Sequence, residues 1–303
     1  MDVNNNENGS QSTTTTTTTT SPKEYEQVTR VRAQFLEKVA KEPALFYPED
    51  INLVKTNEWW TLRFIKWNRG NEDKALKQMV SAFKWRKSFG LHDRNVNDIP
   101  NEFAKAAAIF PYGYDHKGRP IIYLRIKVYR KINQLVLFFQ QFVAGIVNHI
   151  DGEGGRQGFV IVWDVTGLGL INFDADFLQY LVSLLQNYYP YGLRYSIVYN
   201  MPKVLRPLWS MTKFFLGSTV NTFTFCNSVE ELEKYIPSKW LLRYMGGQSD
   251  FDFTDFEEVR GAPSVYEVAA KYNFTEADCI KYLKIFEENI KEARTLLSPS
   301  AAS

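Results

Sequence analysis

The sequence predicts an α/β domain, a mixed and largely parallel sheet set behind an N-terminal helical subdomain. Three observations carry this. Early in the chain, apolar residues recur at helical spacing, as do Leu76, Val80 and Phe83. Beyond residue 120, short apolar runs of strand length alternate with helix-length segments. Strands joined by such crossovers pair in parallel, because a tight turn cannot reach a parallel neighbour. Between the two regimes, Tyr112-Gly113-Tyr114-Asp115-His116-Lys117-Gly118-Arg119-Pro120 reads as a turn that feeds the first strand.

Taken in order, residues 1–22 are polar and low in complexity, with eight consecutive threonines from Thr13 to Thr20. They bury too little apolar surface to offset the entropy of ordering, and a disordered tail is expected. Residues 23–95 form the helical subdomain, with helices over 23–41, 57–68 and 72–89 stitched together by Trp59, Trp60, Phe64, Trp67 and Trp85. Residues 96–248 carry the sheet. Its strands are expected at 121–126, 158–163, 194–200 and 221–226, and its helices at 132–150, 174–188 and 203–216. The 132–150 helix gathers Leu135, Phe139, Val143, Ile146 and Ile150 on one wide stripe, enough to cover a sheet or to roof a cavity. Residues 249–303 begin with an acidic link containing Asp250, Asp252, Asp255, Glu257 and Glu258. Two or three short helices follow over 263–297, the last with Ile280, Leu283, Phe286 and Ile290 on one side.

Composition narrows the function classes. The chain has 303 residues, 45% of them hydrophobic, with 22 Phe, 17 Tyr and 7 Trp, an apolar inventory large enough to line a cavity as well as to fill a core. A formal net charge of +2 without a long basic stripe excludes duplex nucleic acid as an expected partner. The two cysteines, Cys226 and Cys279, are far apart and lack neighbouring metal ligands, so neither a disulfide framework nor a metal site is expected. Nothing reads as a signal peptide or a membrane span, and a cytoplasmic protein that visits membranes transiently is expected.

Catalytic signatures fail one by one. The cluster Gly152-Glu153-Gly154-Gly155-Arg156-Gln157-Gly158 precedes a strand, whereas a nucleotide loop follows a strand and opens a helix. Gly167-Leu168-Gly169 does follow a strand but lacks the remaining glycine or lysine, and there is no Gly-x-Ser-x-Gly elbow. His92, His116 and His149 are scattered. Asp164, at the end of Phe159-Val160-Ile161-Val162-Trp163, suits a capping role, accepting backbone N–H bonds from the next turn. No catalytic residue, cofactor or metal ligand is assigned.

Several segments in order carry a resemblance over about residues 27–248: Leu62-Arg63-Phe64-Ile65 with Lys74-Ala75-Leu76 and Trp85-Arg86-Lys87; Gly113-Tyr114-Asp115 with Gly118-Arg119-Pro120; Trp163-Asp164; Tyr188-Tyr189-Pro190; Asn200-Met201-Pro202; Ile236-Pro237; and Gly246-Gly247. Together they resemble the CRAL-TRIO lipid-transfer family, most of all the CRAL-TRIO domain of motile sperm domain-containing protein. The resemblance implies the CRAL-TRIO fold, with one sheet face covered by helices, the other flooring a lipid cavity, and a mobile gate helix closing it. It implies binding of a single hydrophobic lipid and its transfer or presentation between membranes. The alternatives are a lipid-sensing module acting on a partner protein and an α/β enzyme.

By position against the family's motifs, Phe159, Ile161 and Trp163 are implied to face the ligand. Leu181, Leu184, Leu185, Tyr189, Ser196 and Val198 are implied wall residues. Tyr191 joins them, standing where members that bind phosphatidylinositol have a glutamate after Tyr-Tyr-Pro. Their lysine on the later strand falls at Asn221 or Phe223 here, so an inositol headgroup is not expected. The gate is the helix after Pro202, whose apolar face carries Val204, Leu208, Met211, Phe214 and Phe215. Lys203, Arg206 and Lys213 form a separate basic stripe suited to docking on an anionic membrane. Pro207 lacks a helical N–H, so this helix is expected to start or bend there. In the tail, Tyr272-Asn273-Phe274-Thr275-Glu276-Ala277 with Asn289-Ile290-Lys291-Glu292-Ala293 resembles a ubiquitin-associated three-helix module. Ubiquitin or another protein is therefore an expected partner of residues 263–297, unless they form a plain extension docked on the lipid domain.

Overall fold

The computed structural model describes residues 20–93, 100–169, 174–251 and 263–297. Most of the polar tail and the acidic link lies outside them. The helical subdomain holds four helices: α1 (Pro22–Lys41), α2 (Pro48–Thr56), α3 (Trp59–Trp67) and α4 (Glu72–Ser88). α1 starts in a capping box, in which the Ser21 hydroxyl accepts from the Glu24 amide and the Glu24 carboxylate accepts from the Ser21 amide. It buries Val28, Val31, Phe35 and Val39, one face at helical spacing. Pro48 at the first turn of α2 needs no hydrogen-bond partner there. The expected 57–68 helix is α3, and α2 before it is an element that the sequence pattern did not show.

After a short helix α5 (Asn101–Lys105), the chain builds β1 (Ile109–Tyr114), β2 (Pro120–Arg125), α6 (Val136–Gly154), β3 (Phe159–Asp164), α7 (Ala175–Ser183), β4 (Leu193–Tyr199), α8 (Arg206–Leu216) and β5 (Phe223–Cys226). The sheet order is β1-β2-β3-β4-β5, with β1 antiparallel and the other four strands parallel. The last three residues of β1, Tyr112–Tyr114, were expected to form part of a turn, and the actual turn is confined to Asp115–Arg119. There Asp115 Oδ1 accepts from the amides of Lys117 and Arg119. Gly113 has φ +68°, and a Cβ there would stand 2.8 Å from the Trp240 ring, so this irregular strand needs glycine.

Because the strand order is monotonic, each parallel crossover advances the same way. The right-handed rule then puts α6, α7 and α8 on one face of the sheet. That face carries Ile122, Leu124, Phe159, Ile161, Trp163 and Val198. The opposite face, with Tyr123, Val160, Val162 and Ile197, is covered by α9 (Val229–Glu233) and the turns around Leu241 and Met245. The crossover helices and the cavity therefore share a face, and α9 with the short turns covers the other.

Two buried arginines bolt the helical subdomain to the sheet domain. Arg63 on α3 donates to both oxygens of Asp151 on α6 at 2.6 and 2.7 Å, and its Nε donates to the Pro190 carbonyl. Arg86 on α4 forks onto Asp50 of α2 and also donates to the Tyr189 hydroxyl. Burial raises the Asp50 pKa, but bonds from His92 and Arg86 outweigh it and hold the carboxyl below its usual value. The Arg63 and Arg86 of the quoted motifs are thus structural.

The C-terminal segment forms α10 (Val265–Val268), a 3-10 turn and one long helix α11 (Glu276–Leu297). This corrects the expected three-helix module. No glycine or proline interrupts residues 276–297, so the chain continues as helix where a ubiquitin-associated fold needs a second loop. The apolar side of α11 is already occupied: Cys279, Tyr282 and Phe286 pack against Phe103 and Phe138, and Ala293 against the covered sheet face. The segment is an extension docked on the sheet domain.

Candidate functional site

A cavity opens between the carboxyl ends of the parallel strands and helices α6, α7 and α8. It offers about 180 Å³ to the centre of a water-sized sphere, where one water needs roughly 10–15 Å³ on that measure, so it is far larger than a packing defect. Leu124, Trp163, Val198 and Phe223 form its floor, and Phe142 and Leu181 stand among its walls. In-register pairing explains the floor, since Leu124, Trp163 and Val198 face one another across β2, β3 and β4 on the same side of the pleat. Parallel sheets of this kind open their ligand crevice at the carboxyl ends of the strands.

The amino ends of the same strands are filled by protein. Phe159 and Ile161 join Trp59, Trp60 and Phe64 of the helical subdomain in one buried cluster, with Leu184 and Tyr189. These four implied ligand residues are buried in the core and do not line the cavity. The Tyr189 hydroxyl is held between Arg86 and Asn148. Tyr191, at φ +62°, turns toward the helical subdomain, with its ring near Trp59 and Trp67. Ser196 is fully buried beside Ile161, and its hydroxyl has no partner among the described residues. Leu185 lines a recess of about 10 Å³ bordered by Trp163, Leu181 and Phe223. Of the ten implied residues, then, Trp163, Leu181 and Val198 meet in the main cavity.

α8 closes one side. A 3-10 turn at Lys203–Leu205 leads into it, and Pro207 sits in its first turn, where a missing N–H costs nothing. Leu205, Trp209 and Leu216 reach the cavity, and Lys203, Arg206 and Lys213 are exposed. The side chains of Val204, Leu208, Met211, Phe214 and Phe215 lie outside those described. At the carboxyl end of α8, Gln186 donates to the Leu216 carbonyl at 3.1 Å and to the Thr219 hydroxyl at 2.6 Å. Gln186 belongs to the π-helical turn Leu184–Tyr188 that follows α7, whose carbonyls accept in turn from Gln78 of α4.

The other end of the cavity is the part sequence reasoning missed. Phe103 of α5 and Phe286 of α11 meet edge to face at 4.6 Å and line it, and Lys127 pairs with Glu292 at 3.0 Å beside them. Here lie the charged members of the lining, Arg125, Arg130 and Asp174, with Tyr129. Asp174 accepts from the Tyr129 hydroxyl and caps α7 through the amides of Asp176 and Phe177. Burial raises its pKa, but these bonds, Tyr129 first, outweigh it and keep the carboxyl below its ordinary value. Burial, with Asp174 as acceptor, pushes the Tyr129 phenol well up and keeps it neutral. Asp164 caps the turn after β3 through the Thr166 amide and accepts from the Tyr244 hydroxyl. The signal for Arg125 was present in the sequence: a cation closing an otherwise apolar strand.

Residues 105–247 match the CRAL/TRIO domain. Over 249 residues the chain is 26% identical to CRAL-TRIO domain-containing protein C365.01 of Schizosaccharomyces pombe, covering 77% of this chain and 68% of that protein. It is 22% identical over 212 residues to phosphatidylinositol transfer protein CSR1 of Eremothecium gossypii, covering 64% of this chain and 48% of the relative. It is 24% identical over 208 residues to the Sec14 cytosolic factor of Schizosaccharomyces pombe, covering 61% and 73%. The chain thus spans about two thirds of the first of these proteins and about half of the second. The crystal structure of Sfh5 shares the fold, with a TM-score of 0.60 at 14% identity, covering 84% of this chain and 97% of that one.

Proposed function

The chain belongs to the CRAL-TRIO lipid-transfer family, whose domain it carries over residues 105–247, and from that premise we propose that it binds one hydrophobic lipid in the cavity and carries or presents it between membranes. The observation that supports this best is an almost wholly apolar space, roofed by α6 and α7 and walled by α8, in a chain whose described helices include none long and apolar enough to cross a membrane. Apolar surface left unfilled inside a protein forgoes dispersion contacts, and a lipid body restores them. The named activities of relatives, phosphatidylinositol transfer among them, favour a phospholipid-sized cargo.

In this reading α8 is the lid. Its apolar side meets the cavity through Leu205, Trp209 and Leu216, and its exposed Lys203, Arg206 and Lys213 suit an anionic bilayer surface. Trp163, Leu181 and Val198 touch the ligand body, with Leu185 at its margin. Organic extraction of the purified chain followed by mass spectrometry tests the proposal. A single lipid class near one molecule per chain is the expected result, and lipid-free protein from several preparations that also fails to take up added lipid would overturn it.

A further inference from the structure

We propose that Arg125 docks one anionic group of the cavity ligand, so that the cargo is an acidic amphiphile, a carboxylate or phosphate on a long apolar body. This rests on the carrier reading above and names the chemistry of its ligand. Three arginines are buried in the described structure: Arg63, Arg86 and Arg125. The first two each hold a carboxylate through both arms of the guanidinium. Arg125 is the exception. It is 4% exposed, lines the cavity, and forms no ion pair among the described residues. Its one side-chain hydrogen bond runs from Nη1 to the Ala106 carbonyl at 3.4 Å, at the long limit for such a bond.

A guanidinium cannot shed its proton, so burial leaves it charged, and an unpaired buried charge is strongly disfavoured. Neither neighbouring acid forms an ion pair with it among the described residues. Asp164, its register partner on β3, is engaged by Tyr244 and Thr166, and Asp174 by Tyr129 and the α7 amides. Arg130 lines the same end and adds a second cation, its Nη1 held by the carbonyls of Lys127 and Tyr129. Phe103 and Phe286 close this end, and the apolar floor runs from it past Trp163. An anionic head on Arg125 with its chain laid over Trp163 satisfies both features, and the planar fork of arginine fits a carboxylate or a phosphate through two bonds.

The test is equilibrium binding of the delipidated full chain to two pairs of probes that differ in the head: oleic acid against oleyl alcohol, and dioleoyl phosphatidic acid against dioleoylglycerol. In at least one pair the anionic member is expected to bind about tenfold more tightly or better, the scale of one charge-assisted hydrogen bond. The pair that discriminates tells carboxylate from phosphate. Arg125→Gln is expected to abolish the preference, read as the ratio of the two affinities within the variant, since a charge-assisted contact is lost. Should that variant fail to fold, Arg125→Lys keeps the charge without the fork, and a reduced preference is expected. Equal binding within both pairs, or a preference undiminished in either variant, overturns the assignment of Arg125 alone. Failure of all four probes to bind overturns the carrier reading itself.

Discussion

Replacing Trp163 by aspartate puts a carboxylate on the cavity floor. Trp163 is 9% exposed, flanked in register by Leu124 and Val198, and its ring lies 6.0 Å from that of Phe223. An uncompensated carboxylate in such surroundings costs several kcal/mol or takes up a proton. If about 3 kcal/mol of that cost falls on the loaded state, Kd rises roughly 150-fold. Lipid supplied at about a hundred times the wild-type Kd stabilises wild-type protein by about 2.7 kcal/mol; the same lipid, now below the variant's Kd, stabilises the variant by only about 0.3 kcal/mol. At roughly 2–4 °C per kcal/mol for a chain of this size, wild type should gain about 5–10 °C on loading and the variant about 1 °C. Thermal unfolding with and without lipid reads this, with circular dichroism to show that the fold survives and Trp163→Phe as a control that keeps loading. A variant that gains as much as wild type would refute contact between this strand face and the ligand.

Asp151→Asn leaves the wholly buried Arg63 without its charge partner, at a cost of about 3–5 kcal/mol. At about 3 kcal/mol per molar, the urea midpoint should fall by about 1–1.7 M, and an apolar Arg63→Met/Asp151→Leu pair should recover most of it; a fall below about 0.3 M would contradict a structural role for the pair. Changing Lys203, Arg206 and Lys213 together to glutamine removes about 1 kcal/mol of membrane attraction per residue. Transfer between anionic liposomes should slow far more than between neutral ones, and equal slowing on both would rule out electrostatic docking by α8. The Lys66 ammonium and the Ser21 amide hold Glu24 at about 2 instead of 4.5. Its folded-state value is depressed, so its contribution is complete above about pH 4.5 and is lost as pH falls through about 2. Amide exchange in the first turn of α1 should quicken across that window, and unchanged protection down to pH 2 would speak against the capping box as the cause.

The central parallel strands were legible because β2 and β3 are buried on both faces, and β3 reads as an unbroken apolar run, Phe159-Val160-Ile161-Val162-Trp163. β1 was not, since Pro111 and Gly113 break its pattern and the register shifts between Pro111 and Tyr114. α2 escaped because it is short, opens on a proline and buries Asp50, a residue type that signals surface. Within the cavity, alternation along β3 identified the face bearing Trp163, yet nothing along one strand says how much of that face another subdomain covers. Phe159 and Ile161 share Trp163's phase and its buried cluster, yet they do not line the cavity. Phe103, Phe286 and Arg125 come together from parts of the chain more than 150 residues apart at the extremes (103 to 286), a closure that local periodicity does not encode.

If α8 is the lid proposed above, the two bonds from Gln186 to its carboxyl end set the direction in which it would travel. A rod held by hydrogen bonds at one end swings as a flap about that end, and the other end describes the larger arc. The held end is at Leu216 and Thr219, tied through the π-helical turn to Gln78 on α4. At the opposite end, the side chains of Lys203 and Arg206 make no bond among the described residues. Any outward swing therefore carries Lys203 and Arg206 farthest and leaves Lys213 near the pivot. The basic stripe would touch down heel last, and the doorway would widen first beside Met201 and Leu205, at the end of the strands where the cavity floor lies.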